Sequence, residues 1–455
     1  MEGALKPAKI AITVRNRGQS ERGYRSRWPV PRRAIRGLGP TLRRRRPGGA
    51  RRDSRPGLLR SIGPEAVSAA SDNDPTNVGT AVVAGAQTAY QLSWVALLVG
   101  PLLAVVMTIA AQVGAVARDD LQSLTLRRYG RGVSAVLLVS VVAVNLVTIA
   151  ADLQAGAAGL GLLAGVSSRW LVVPLGVVLA GLLLIGRYGQ VVAVLRYLLL
   201  GFAAFGAAAI LAHPDWPHVL RASLVPALSL RRDEVAGGLA LLGTTLTSYV
   251  YVWETIGRGV EEPGPAEGSR LGRARAGAIV GSAFTAVTLW FMLIASAATL
   301  GQHHQPVTSA PQAAAALRPL AGSLAAGLFA AGLVISAVVA LPVLLTTTAY
   351  VVGVHFGWRR GLSEGVSRAR GFYGVLVAAT GLALVVTLAR IPVIGMLVAA
   401  SVIGGFGTPV GLILLVRLAR DPQIMGHQVI SRRLAWAGGA VAALVGAFGL
   451  LFLVG

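Results

Sequence analysis

From Gly63 to the end, the chain is a succession of long apolar runs separated by short loops that carry most of the remaining arginines. At about 1.5 Å of rise per residue, a helix needs roughly 20 apolar residues to cross a hydrocarbon core of about 30 Å. By that measure the pattern predicts eleven spans, near residues 63–90, 92–117, 132–165, 170–186, 190–212, 235–258, 276–300, 321–355, 371–389, 394–416 and 434–454. Some exceed the thickness of a bilayer and must tilt or protrude. The predicted class is an all-α polytopic membrane protein, because a helix satisfies its own backbone where lipid cannot.

Two of these runs are interrupted. In the first, Ser71-Asp72-Asn73-Asp74-Pro75-Thr76-Asn77 puts carboxylates, amides and a proline among small apolar residues. Pro75 removes an amide donor and pushes Asp74 out of helical geometry, so the backbone opens there. An opening at membrane depth survives only when buried in protein or lining a cavity, and with carboxylates beside it the natural partner is a cation. In the sixth run, Gly243-Thr244-Thr245-Leu246-Thr247-Ser248-Tyr249 is small and hydroxyl-rich. Its hydroxyls either back-bond to the preceding turn or mark a second break. The two segments hold corresponding places in two five-span halves, the pattern of inverted-repeat transporters with discontinuous helices.

Composition excludes a soluble enzyme: 54% of residues are hydrophobic and 13% charged. Cysteine is absent, which rules out disulfides, zinc–thiolate sites and thiol nucleophiles. No Walker or dinucleotide glycine fingerprint appears in a strand–turn–helix context. The net charge of +24 resembles a nucleic-acid signature until it is mapped, for residues 1–60 hold 18 of the 42 basic residues and only three acids. That segment, with Arg43-Arg44-Arg45-Arg46, is expected to be a disordered cytoplasmic tail over residues 1–59, ahead of a transporter domain over 60–455. A positive-inside anchor touching anionic headgroups, or an overlong translation start, explains it better than a specific nucleic-acid partner. It lacks the apolar core of a signal peptide.

With the amino terminus inside, 18 arginines beyond the tail fall in inside loops and six outside. This bias predicts a cell-membrane protein, in a plasma or bacterial inner membrane, with its amino terminus cytoplasmic and its carboxyl terminus outside.

Four acids lie within spans: Asp72, Asp74, Asp152 and Glu254. Asp152 needs a partner at depth, either an ion path or a helix–helix hydrogen bond with Asn145 as candidate. Glu254 reads as a solvated helix end or as part of an acidic vestibule with Glu261 and Glu262. The six histidines all fall in loops or at span ends.

Asp74-Pro75-Thr76-Asn77, followed by Gly79 and Ala84-Gly85-Ala86-Gln87, resembles the first-helix motif Asp-Pro-Gly-Asn of the NRAMP divalent-metal transporters. Supporting likenesses are Asp152, Gly243-Thr244-Thr245, Leu328-Phe329-Ala330-Ala331-Gly332-Leu333 and Met425-Gly426. The resemblance implies a LeuT-type inverted repeat of five plus five helices, with the first and sixth discontinuous, working by alternating access. It further implies a metal held by Asp74 and Asn77 with the Thr244 and Thr247 positions, Asp72 being an additional carboxylate of unsettled role. The metal is substrate, and no resident cofactor is expected.

The departures refine the cargo. Thr247 stands where the family has methionine, and Ser248 and Tyr249 where it has proline and histidine. Hydroxyl oxygen in place of a thioether favours hard cations, so Mg²⁺ or Mn²⁺ is expected over Fe²⁺ or Cd²⁺. Ala155 replaces a third-helix glutamate, and Arg370 stands near the ninth-helix arginine that partners the family's acids. The chain looks most similar to the NRAMP-related magnesium transporter branch, and uptake without proton coupling is expected, with Asp152, Glu254, Tyr249 and Arg370 along the ion path. Competing readings are a proton-coupled Mn²⁺/Fe²⁺ symporter, a sodium-coupled amino-acid carrier and a transporter-like scaffold acting through its basic tail.

Overall fold

The structure is a computed structural model describing residues 72–185, 203–227, 231–261, 268–301, 307, 310–314, 322, 325–389 and 391–454. The tail, the first span ahead of Asp72 and the start of the fifth span lie outside the described residues. Helices and their connections make up all that is described, with no strand among them. In chain order the helices are α1 (Pro75–Thr88), α2 (Ser93–Ala117), α3 (Leu121–Ala164), α4 (Arg169–Ile185), α5 (Ala203–Leu211), α6 (Trp216–Leu224), α7 (Arg232–Thr245) and α8 (Ser248–Ile256). A π-helical turn at Gly257–Glu261 follows, then α9 (Gly268–Thr299), α10 (Ala310–Ala314), α11 (Ala325–His355), α12 (Arg370–Leu388), α13 (Val393–Ala419), α14 (Pro422–Met425) and α15 (Arg432–Val454).

Eight stretches among the described residues are long and apolar enough to cross a membrane, counting α7, α8 and the π turn as one. These match the expected second, third and sixth to eleventh spans, while the fourth is a shorter apolar helix at Arg169–Leu184 and the first and fifth lie partly outside the described residues. The third keeps its expected start near 132, and a shorter helical segment from Leu121, capped by Asp120 accepting from Ser123 N at 2.8 Å, runs into it. Gly130, with φ +81°, then bends the chain inside the same element, a conformation open to glycine at little cost. Helix α6 was not expected. Asp215 caps it and Pro217 sits in its first turn, a start signal within a connection.

The core is built where α3 packs along α11 and α13, α9 along α1 and α2, and α7 along α13. Small residues allow this. At Gly243 a methyl group would lie 2.2 Å from the Ser401 carbonyl oxygen and 2.4 Å from Gly405 N, so α7 and α13 meet backbone to backbone.

The two ends of α3 differ. At its start, Leu121 N donates to Thr255 Oγ1 at 3.0 Å, and Arg360 Nη2 reaches Asp120 Oδ2 at 3.3 Å and Ser123 Oγ at 2.8 Å. Glu261 accepts from the Tyr350 hydroxyl and from Leu362 N, tying the π turn to α11 and to the loop beyond it. At the far end of α3, Ala158, Gly161, Leu162, Val166, Ser168, Ala310, Pro311 and Val393 line a cavity of about 340 Å³.

Candidate functional site

Helix α1 begins where the proline requires. Asp74 is extended (φ −69°, ψ 166°), Pro75 occupies the first turn, and Asp74 Oδ1 accepts from Asn77 N at 2.6 Å as the helix cap. The Asn77 side chain donates Nδ2 to the Asp72 carbonyl at 2.8 Å, which turns Oδ1 the other way, toward Thr245 Oγ1 at 3.5 Å. From α3, Asp152 Oδ1 accepts from Thr76 N at 3.1 Å and from Thr76 Oγ1 at 2.6 Å. Asp72, Asp74, Asn77 and Asp152 are at most 1% exposed.

The second interruption is narrower than expected. Gly243, Thr244 and Thr245 remain helical, and the chain departs from the helix only at Leu246 and Thr247 before α8 begins. The reason is the close approach to α13, which regular helix at Gly243 makes possible. Leu246 O, freed by the break, accepts from Thr408 Oγ1 at 3.1 Å. Thr245 back-bonds to Leu241 O at 3.0 Å, but the hydroxyls of Thr244 and Thr247 are buried with no hydrogen-bond partner. A buried hydroxyl with no partner is costly unless something else fills its coordination.

The start of α1 meets the second interruption. Tyr249, in the first turn of α8, donates its hydroxyl to Asp74 Oδ2 at 3.1 Å. Among the described residues no group of three or more His, Cys, Asp or Glu side chains is placed to hold a metal. An ion here would rest on a mixed set of one carboxylate, an amide oxygen, hydroxyls and helix-end carbonyls, all oxygen and all suited to a hard cation.

Other sequence candidates fall elsewhere. Glu254 is neither a solvated helix end nor a vestibule wall: it is 2% exposed and ion-paired with Arg258 one turn on. Asn145 does not partner Asp152; it donates to Thr348 Oγ1 at 3.0 Å on α11. Arg370 is exposed at the start of α12, and no hydrogen bond or ion pair among the described residues joins it to Asp152. Thr76 and Thr245 were not singled out from the sequence. Thr76 stands where the resembling motif has glycine, and that substitution was the available signal.

A bundle of apolar helices in which the buried polar start of one meets the break within another fits the architecture of a LeuT-type inverted-repeat membrane transporter. The chain superposes on a manganese transporter from Eremococcus coleocola with a TM-score of 0.71 at 19% identity, covering 87% of this chain and 86% of that one. It also superposes on Mhp1, a nucleobase-cation-symport-1 family transporter, with a TM-score of 0.56 at 14% identity, covering 85% and 88%. In sequence it is 28% identical over 379 residues to the divalent metal cation transporter MntH of Aeromonas hydrophila, covering 81% of this chain and 89% of that protein. Residues 66–455 match the Nramp (natural resistance-associated macrophage protein-like) family, and the chain belongs to it.

Proposed function

We propose that this protein carries divalent metal ions across the cell membrane by alternating access, with Mg²⁺ or Mn²⁺ as cargo and no accompanying proton. The observation that carries the reading is the meeting of the start of α1 with the break before α8 through Tyr249 and Asp74, beside the unpartnered hydroxyls of Thr244 and Thr247. Family membership and the MntH relative support a divalent metal as the class of cargo. Asp74 supplies charge, Asn77 Oδ1 an amide oxygen, and Thr244 and Thr247 hydroxyl oxygens, leaving room for waters that Mg²⁺ gives up reluctantly. Tyr249 and Asp152 orient this set, one holding Asp74 and the other the start of α1 through Thr76. Glu254 and Arg370 are left out of cargo binding.

In this reading the polar ties at the start of α3 hold one end of the bundle together, and the cavity at the other end of α3 is the candidate side of entry. With the amino terminus cytoplasmic, the tied end faces the cytoplasm. An inside-negative potential then favours entry of a divalent ion by about 4.6 kcal/mol per 100 mV, enough to drive uptake without protons.

Uptake of Mg²⁺ and Mn²⁺ into proteoliposomes containing a pH dye tests the reading. Metal entry with little acidification is expected, and loss of entry in Asp74→Ala. Strong Cd²⁺ entry with matched acid influx would overturn it.

A further inference from the structure

At the start of α3, away from the apolar cavity at its other end, lies a second cavity of about 280 Å³ that cargo binding does not use. Ala117 at the end of α2, Leu124 of α3 and Ile424 of α14 are buried or half-buried and form its apolar floor. Arg127, Arg128 and Gln423 are exposed and form its polar mouth. Arg127 pairs through Nη2 with Asp119 at 3.0 Å, and Arg128 through Nε with Asp421. A guanidinium carries five N–H donors, so each arginine keeps donors for a second anion.

The charge around the mouth favours an anion. Residues 117–131 and 417–433, which the Arg128–Asp421 pair joins, hold eight arginines against three acids. Depth decides which anion. Val133, Val136 and Val139 are exposed along α3, where the expected third span begins, and an outward apolar row on a membrane helix faces hydrocarbon. Arg128 stands five residues before Val133, at most about 7.5 Å of helix at about 1.5 Å per residue. One headgroup layer of a bilayer is about 5–8 Å deep. The guanidiniums therefore sit among lipid phosphates, with acyl chains one layer further in. A soluble phosphate would use the arginines and leave the apolar floor bare, whereas a phospholipid uses both.

We propose that this cavity binds an anionic phospholipid, with its phosphodiester on Arg127 and Arg128 and its glycerol and first acyl carbons on Ala117, Leu124 and Ile424. In the orientation proposed above, the lipid belongs to the inner leaflet. A zwitterionic lipid brings the same phosphate with a cation beside it, which the surplus of arginines repels. The loop that the lipid touches lies against the π turn, since a methyl at Gly259 would come within 2.6 Å of the Asp119 carbonyl oxygen. The bound lipid thus braces that contact, and by binding the folded form alone it stabilises the protein. None of this depends on which ion the protein carries.

Thermal unfolding of the purified full-length protein in detergent, titrated with short-chain phosphatidylglycerol, phosphatidylcholine or glycerol phosphate, tests the site. Phosphatidylglycerol is expected to raise the unfolding temperature saturably, and the other two to leave it unchanged. Half-saturation is expected to need roughly fivefold more phosphatidylglycerol in Arg127→Gln and Gln423→Glu, and less in Gln423→Lys, since one charge at a headgroup layer is worth about that factor. Arg433→Gln, outside the cavity, is expected to match wild type. Gln423 is exposed, so its two variants read the site even where Arg127→Gln fails to fold.

An equal rise with phosphatidylcholine overturns the proposal. A phosphatidylglycerol effect that Gln423→Glu and Gln423→Lys leave unmoved overturns it as well, because the lipid is then bound elsewhere. A saturable rise with glycerol phosphate overturns the lipid as occupant in favour of a soluble phosphate.

Discussion

One oxygen of Asp152 takes both the amide and the hydroxyl of Thr76, at 3.1 and 2.6 Å, so α3 grips the first turn of α1. The other oxygen of Asp152 is buried without a partner. The grip is charge-assisted and shielded from solvent, and hydrogen bonds to charged groups are worth about 1.5–3 kcal/mol. Thr76→Val removes the hydroxyl and keeps the amide. Calorimetric titration with Mn²⁺ is expected to show affinity reduced roughly tenfold in Thr76→Val and near wild type in Thr76→Ser, a tenfold change being about 1.4 kcal/mol.

Thr247 immediately precedes α8, with its hydroxyl unpartnered and no sulfur ligand in the break. Thr247→Met brings in a thioether, which prefers soft ions. Competition assays are expected to show Cd²⁺ blocking Mn²⁺ uptake at much lower concentration in the variant, while Mg²⁺ competes less well.

Tyr249 holds Asp74 through a phenol, a neutral donor throughout the physiological range. Replacing it by histidine puts a group with an ordinary pKa of about 6.5 at the same place. Tyr249→His is expected to make uptake depend on pH between about 5 and 8, falling as the imidazole becomes cationic and repels the cargo. Wild-type uptake is expected to vary little over that interval.

Gly243 and Gly446 make a matched pair for packing. A methyl at Gly243 meets the backbone of α13 at 2.2 and 2.4 Å, whereas one at Gly446 meets nothing within 4 Å. Overpacking of this kind costs about 1–3 kcal/mol or more. Thermal unfolding in detergent is expected to show Gly243→Ala clearly destabilised and Gly446→Ala unchanged or slightly raised.

Asp421 caps α14 and is ion-paired with Arg128, and the Arg128 guanidinium holds its carboxyl below the usual value of 3.8. A lowered pKa in the folded state means the contribution is present above the unfolded value and fades as pH falls through the folded one. Loss of stability below about pH 4 is therefore expected, smaller in Asp421→Asn. Arg128 is 42% exposed, so added salt should weaken the effect.

How much of this was legible in the sequence depended on whether the cause was local. Asp74 and Pro75 act on their own backbone, and the helix starts where they dictate. Glu254 and Arg258 are also a local signal, four apart on one helix, yet the acid was read against Glu261 and Glu262. Thr76 shows in the sequence only as a departure from the motif's glycine, and its role was not legible because its partner lies 76 residues away on another helix. The sixth-span break was placed too broadly because Gly243, Thr244 and Thr245 look like poor helix formers. Their small size instead serves the contact with α13, a tertiary cause that overrides propensity.

That contact constrains how the protein can move. With main chain against main chain at Gly243, there is no side-chain layer for α7 and α13 to slide upon, so the two travel as one rigid strut. Any swing that exposes the site to the opposite face must be taken up at Leu246 and Thr247, the first residues past the strut whose torsions are not helical. Thr247 is then both a hinge residue and a proposed cargo ligand, so an ion held there would also set how freely the hinge turns.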